Sequence, residues 1–236
     1  MEPSLRQMIF TIGLLVMLAG PRAKEIRAQS GPPPESRSAQ DDSAAIPIDG
    51  VAARVEDDII LESEIRELGA FQILSDGQAK PQSELIRELV DQWIVRGEAS
   101  AAKYPFPSAD DVQNAFQQFV KQFPSPEELQ KRLAAADLTE SAVKRILAQQ
   151  LYLSHFLDYR FRAAAQVDDK QVETYYNDEF APQLKARGEL VPPLEDVEDT
   201  IREVLIQRAI NDRAVKWLDD TRQRLKIDIV SQGSVS

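Results

Sequence analysis

Between Thr139 and Arg162, apolar side chains recur at three- and four-residue steps, and no Gly or Pro interrupts them. Val143, Ile146, Leu147, Leu151, Ser154 and Phe161 share one face of a helix. Thr139 is a good N-cap, and Glu140 sits in the first turn, where the helix dipole favours a carboxylate. In the second half Tyr152, Leu153, Phe156, Leu157 and Tyr159 spread the apolar surface nearly all round. A helix of roughly 22 residues is about 33 Å long. One that is apolar all round needs neighbours on several sides, and the remaining chain is read for them.

Val51–Val55 and Ile59–Leu61 flank Glu56-Asp57-Asp58, which predicts two short strands joined by a tight turn. A lone hairpin is marginal and needs a third strand or a helix over it. A first helix is expected over Glu62–Leu74, with Ile65, Leu68, Phe71 and Leu74 inward. A second runs over Ser83–Lys103 with a stripe of Ile86, Leu89, Val90, Trp93 and Ile94. Ser108 caps a third, whose Val112, Phe116, Phe119, Val120 and Phe123 share a face; Pro124 stops it. Ser125-Pro126-Glu127-Glu128 starts a short fourth helix, with Ser at the N-cap, Pro at N1 and Glu at N3 to bond back to the cap. It carries Leu129 and Leu133.

The long helix is the fifth. Asp168-Asp169-Lys170-Gln171 opens another, bearing Val172, Tyr175, Tyr176 and Phe180, which Pro182 weakens or ends. Residues 183–191 read as a loop. Pro192-Pro193 opens a closing helix over 193–225, with Val197, Ile201, Val204, Leu205, Trp217, Leu218 and Leu225 as its stripe. Ile227–Val230 is a short β-prone run. Pairing it with the first hairpin makes a three-stranded sheet and brings the ends of the folded part together. The expected fold class is therefore mainly α: a multi-helix module with a small β-sheet formed by the N-terminal hairpin and the C-terminal strand.

The ends change the picture of where this happens. Arg6 precedes an uncharged apolar run, Met8–Gly20, too short to span a bilayer comfortably. Residues 1–28 read as a secretory signal, with cleavage after Ala28 and with Ala19 and Ala23 as competing sites. An uncleaved inner-membrane anchor is the alternative. Residues 29–47 are polar and rich in Pro and Ser, and read as a disordered linker. The folded domain is expected over 48–230, followed by a polar tail, 231–236. The chain has 236 residues and a formal charge of −11. An acidic chain of this kind does not hold nucleic acid by general electrostatics, and anionic membrane surfaces are disfavoured for the same reason. There is no cysteine, hence no disulfide, thiolate metal site or cysteine nucleophile.

Little catalytic chemistry is visible. The only histidine, His155, lies mid-helix, where a structural role is the usual one. With no second His and no Cys, no zinc site is expected, and neither a calcium loop nor a Gly-rich phosphate loop occurs. The acidic pairs Asp57-Asp58, Asp110-Asp111 and Asp168-Asp169 fall at turns and helix starts, where carboxylates cap. Asp219-Asp220 falls late in a helix, as a solvated pair. No catalytic residue, cofactor or metal is assigned. The aromatic rows are open to two readings. Phe116, Phe119 and Phe123 fit a core, and they fit an exposed apolar cradle for partner chains. If a groove exists, they are its candidates, with Leu129 and Leu133 beside them.

Five segments carry a family resemblance. Residues 48–68, IDGVAARVEDDIILESEIREL, resemble the opening of the SurA-type periplasmic chaperones. LIRELVDQWIVRGEASA (85–101) is similar to that family's second helix. PSPEELQKRLAAADLTESAVKRIL (124–147) resembles that family's passage hydrophobic-Ser-x-Glu-x-hydrophobic followed by Leu-x-x-x-Gly-Leu-Thr, with Asp137 where Gly is common. VDDKQVETYY (167–176) and residues 192–230 resemble the two segments that flank the parvulin-type isomerase modules. Here only residues 177–191 separate them, far too few for a domain. The resemblance implies the chaperone module without the isomerase, with the closing helix folded back on the first helices. It implies an ATP-independent periplasmic holder of unfolded or partly folded exported polypeptides, with a leaning to outer-membrane proteins. A dedicated envelope-protein scaffold and a relic isomerase are the rival expectations. Oligomeric state is left open.

Overall fold

A computed structural model describes residues 49–230. The expected signal (1–28), linker (29–47) and tail (231–236) lie outside the described residues. The elements are β1 (Val51–Val55), β2 (Asp58–Leu61), α1 (Glu62–Asp76), α2 (Gln82–Ala101), α3 (Ala109–Val120), α4 (Pro126–Ala135), α5 (Glu140–Phe161), α6 (Asp169–Tyr175), α7 (Ala181–Ala186), α8 (Leu194–Arg222) and β3 (Ile227–Ile229). The chain is mainly helical, with one small antiparallel sheet. Among the described residues, no helix is long and apolar enough to cross a membrane.

The strand order is β2-β1-β3. The closing strand pairs with the hairpin as its need for cover requires, Arg54 opposite Ile59 on one side and Asp228 on the other. Glu56, in the turn, has φ 52°. Its backbone N–H donates to the Lys226 carbonyl at 2.9 Å and its side chain accepts from the Lys226 N–H at 2.8 Å. The turn that closes the hairpin thus also docks the end of the chain. Asp49 accepts from the Ser63 backbone N–H at 3.1 Å and from its hydroxyl, so the strand's entry holds the first turn of α1.

Side-chain caps set several helix starts. Ser108 and Asp111 bond reciprocally, as do Asp168 and Gln171, and Thr139 accepts from the Ala142 N–H. The start of α4 differs from expectation. Ser125 accepts from the Glu128 N–H, but the Glu128 carboxylate turns to Arg132 at 2.8 Å, an i,i+4 pair that competes with the cap. At the other ends, α2, α4 and α7 each close in a Schellman motif. Its left-handed residue is Lys103, Asp137 and Gly188 respectively, with φ of 53°, 52° and 71°.

Pro182 does not end its helix. The backbone widens into a π turn over Tyr176–Phe180, and the Ala181 N–H donates to the Tyr176 carbonyl, five residues back. That puts Pro182 in the first turn of a new helix, α7, where its missing N–H has no partner to lose. The expected loop at 183–191 is therefore helical as far as Ala186.

Two cores result. The first joins the sheet (Ala53, Val55, Ile60) to α2 (Ile86, Val90, Ile94), the second half of α5 and α8 (Ala214, Leu218). The second joins the end of α1 (Phe71, Leu74) to α3, α4 and the first half of α5 (Val143, Leu147). On α8 the buried positions are Ile201, Ile210, Asn211, Ala214 and Leu218. The expected Val204 and Leu205 are only half-buried, because the first half of α8 packs on the short α6 rather than a full layer.

Charged groups fasten α8 at both halves. Arg162, ending α5, bonds Asp158 at 2.8 Å and Glu203 of α8 at 2.6 Å. Burial works against the Asp158 carboxylate, but hydrogen bonds from Arg162 and Gln207 outweigh it and hold its pKa low. Near the other end, Arg222 pairs with Asp91 of α2 and with Asp219, and Arg87 reaches Asp219 at 3.2 Å. Asp91 is buried on α2, among positions that the apolar stripe alone does not mark. Burial pushes its pKa up to about 6 from 3.8, against the lowering effect of the Arg222 charge and hydrogen bond.

A raised carboxylate pKa means that the native state holds the proton more tightly than the unfolded chain. This group's contribution to stability is full below about 3.8 and declines as pH rises towards about 6. Wild type should therefore gain on Asp91→Asn by up to about 2–3 kcal/mol as pH falls from 7 to 4, read from urea unfolding of both proteins. At Asp137, where the left-handed backbone suits Gly, Asp137→Gly should raise stability by about 0.5–1 kcal/mol in the same assay.

Candidate functional site

All five residues singled out as a possible groove are interior. Phe116, Phe119, Phe123, Leu129 and Leu133 are 2–8 % exposed and form the second core. Phe119 stacks on Phe71 of α1 with ring centroids 5.7 Å apart, and meets Phe123 at 5.2 Å. The helices that carry them are short, but they fold over α1 and α5 and close on one another. The expected cradle is therefore not presented to solvent at these positions. On α6 and the π turn that follows it, Val172 is buried, while Tyr175, Tyr176 and Phe180 are half-buried.

Exposed aromatic surface lies elsewhere, at the far end of α2. The Schellman motif there sends the Tyr104 N–H back to the Ala99 carbonyl at 2.9 Å and the Lys103 N–H to Ser100 at 3.0 Å. This turn aims Tyr104-Pro105-Phe106-Pro107 across α5. The Phe106 ring lies nearly parallel on Tyr152, centroids 4.1 Å apart. Tyr104 meets Tyr159 at 5.3 Å and the edge of Phe156 at 5.6 Å. Tyr152 and Phe156 are fully buried, but Phe106 is 72 % exposed and Tyr159 68 %. The result is a shelf of rings, its base in the first core and its outer members in water. Burial, with Asp158 and the neighbouring tyrosines, pushes the Tyr104 phenol up.

A concave feature lies at the opposite end of α2. A cleft of about 490 Å³ opens between α1 and the start of α2. Buried Ile65 and Leu85, small Gly69 and Ala70, and the half-exposed Ile73 line it. A Cβ at Gly69 would stand 3.1 Å from Leu85 Cδ1, so glycine there lets the two helices approach. Arg66 and Lys80 stand at the lining. Lys80 Nζ pairs at 3.2 Å with buried Glu88, which also accepts from Gln72 Nε2 at 2.7 Å. The Lys80 charge beside the cleft is thereby internally compensated.

The shelf was legible in part. Tyr159 belongs to the all-round apolar run of α5, but nothing in the spacing joins it to Phe106. His155 is exposed beside the shelf on α5. Among the described residues, no group of three His, Cys, Asp or Glu side chains is placed to hold a metal ion. No known family model matches the chain, and no curated protein matches it. The resemblance given above therefore stands on the quoted residues alone.

The two aromatic sets should separate on mutation. Phe119→Ala empties a closed core and should cost about 3–5 kcal/mol. Phe106→Ala removes an exposed ring and one stacking contact, and should cost about 1 kcal/mol or less. Urea melts followed by circular dichroism distinguish the two.

Proposed function

We propose that this protein is an exported, periplasmic, ATP-independent chaperone-like module that holds unfolded or partly folded polypeptides without covalent chemistry. The observation that carries the reading is the aromatic shelf. Two large rings, Phe106 and Tyr159, are held mostly in water on a rigid base of Tyr104, Tyr152 and Phe156. Exposed apolar patches of this kind are typical of interaction surfaces, and rigid aromatics give contact area at little entropic cost.

The cleft supports the same reading. It lies one length of α2 from the shelf, 20 residues or about 30 Å. An extended chain covers that distance with about nine residues. Two weak apolar sites at this spacing hold one extended chain more tightly than either alone, because the second contact is intramolecular. The five-segment resemblance to SurA-type chaperones points to exported clients, outer-membrane proteins among them.

The test is aggregation suppression. An unfolded outer-membrane β-barrel protein is diluted into buffer with the exported protein, without ATP, and light scattering is followed. Suppression near equal molar ratio is expected, with most of it lost in Phe106→Ser/Tyr159→Ser while the fold is retained. No suppression at several-fold excess would overturn the reading in favour of a scaffold with one dedicated partner.

A further inference from the structure

Among the described residues, the sheet is open at one edge. Strand order β2-β1-β3 leaves β2 and β3 outermost. The β2 side carries the usual protections. Its register with β1 is irregular between Val51 and Ala53, it runs straight into α1, and the Trp93 indole of α2 bonds Asp58 at 2.8 Å. Such irregularities and covers discourage further pairing. The β3 side has no bulge and no proline.

The register shows which groups β3 offers. Lys226 accepts from Glu56, and the Val230 N–H donates to Ala52 at 2.9 Å. Asp228, opposite Arg54, lies between them in the ladder. The N–H and C=O groups of Ile227 and Ile229 therefore face away from β1. Ile229 is 59 % exposed, and the side chains of Lys226 and Asp228 are exposed as well.

We propose that this edge pairs with the β3 edge of a second copy, antiparallel, about a two-fold axis at Ile227. The sequence Leu225-Lys226-Ile227-Asp228-Ile229 is complementary to itself in that register. Ile227 exchanges both backbone hydrogen bonds with the partner's Ile227. Lys226 then lies opposite the partner's Asp228, and Asp228 opposite the partner's Lys226, on one face of the joined sheet. Ile229 lies opposite the partner's Leu225 on the other face, level with the apolar layer to which Leu225 and Ile227 already belong. Shifting the axis to Asp228 puts two carboxylates face to face, which opposes that register. The symmetry is the isologous one of ordinary dimers, and the joined sheet has six strands. The contact is short, so the dimer is weak and concentration-dependent.

Sedimentation equilibrium of the exported protein from about 10 µM to about 1 mM covers the range expected of so small an interface. A reversible dimer is expected. Asp228→Lys or Lys226→Asp alone should weaken it about ten-fold, since each turns two opposite-charge pairs into like-charge pairs. The double swap Lys226→Asp/Asp228→Lys should restore it. The double variant gives Arg54 the same new neighbour as Asp228→Lys alone, so its recovery relative to that variant separates the interface from damage to the sheet. Exchange of the Ile227 amide should slow as concentration rises. A monomer throughout, a dimer indifferent to the single swaps, or no recovery in the double variant would overturn the proposal. So would protection of the Ile227 amide only when an unfolded client peptide is added.

Discussion

The structure depends on α5 being shared between two cores. Its first half, through Val143 and Leu147, closes the core of α3 and α4, and its second half, through Tyr152, Leu153, Phe156 and Leu157, closes the core under the sheet. A single helix with apolar surface on most sides makes this possible, because each end meets a different set of neighbours. Alone, α3 and α4 are too short to be stable helices; they hold their shape by laying Phe116, Phe119, Phe123, Leu129 and Leu133 against α5 and the end of α1. Burial of these side chains is thus the condition for the two helices to exist.

The closing helix is held by a different balance. Its apolar contacts are few in the first half, and charged groups fasten it there through Arg162 and Glu203. Near its C-terminal end Arg222 meets Asp91 in surroundings poor in water, and desolvation outweighs attraction enough to raise the Asp91 pKa. A buried pair of this kind adds little net stability. It does forbid most other placements of α8, since displacement leaves a charge unpaired. β3 follows four residues after the end of α8, and the turn at Glu56 receives it. Position of the helix and addition of the strand are therefore coupled.

Aromatic side chains are divided by the reach of their elements. Those on α3 point into a space that α1 and α5 enclose. Those in Tyr104–Pro107 leave a helix end on a left-handed turn and lie over α5 from outside, where no further element among the described residues covers Phe106 and Tyr159. The contrast between a closed aromatic core and an open aromatic shelf is one of topology, not of composition.

By itself, the sequence determined most elements. Caps at Ser108, Ser125, Thr139 and Asp168 and the 3.6-residue stripes are local properties, encoded within a few residues of where they act. The third strand was legible from the hairpin's need for cover. Where two local rules conflicted, only the folded chain decided. Pro182 was absorbed by a π turn, and Glu128 chose Arg132 over its cap. The burial of Asp91 and Glu88, and the fate of Phe116 against Phe106, were not written in spacing, because a stripe gives the face of a helix but not what stands opposite it. That depends on contacts between residues far apart in the chain, such as Arg222 with Asp91, and tertiary structure alone brings those together.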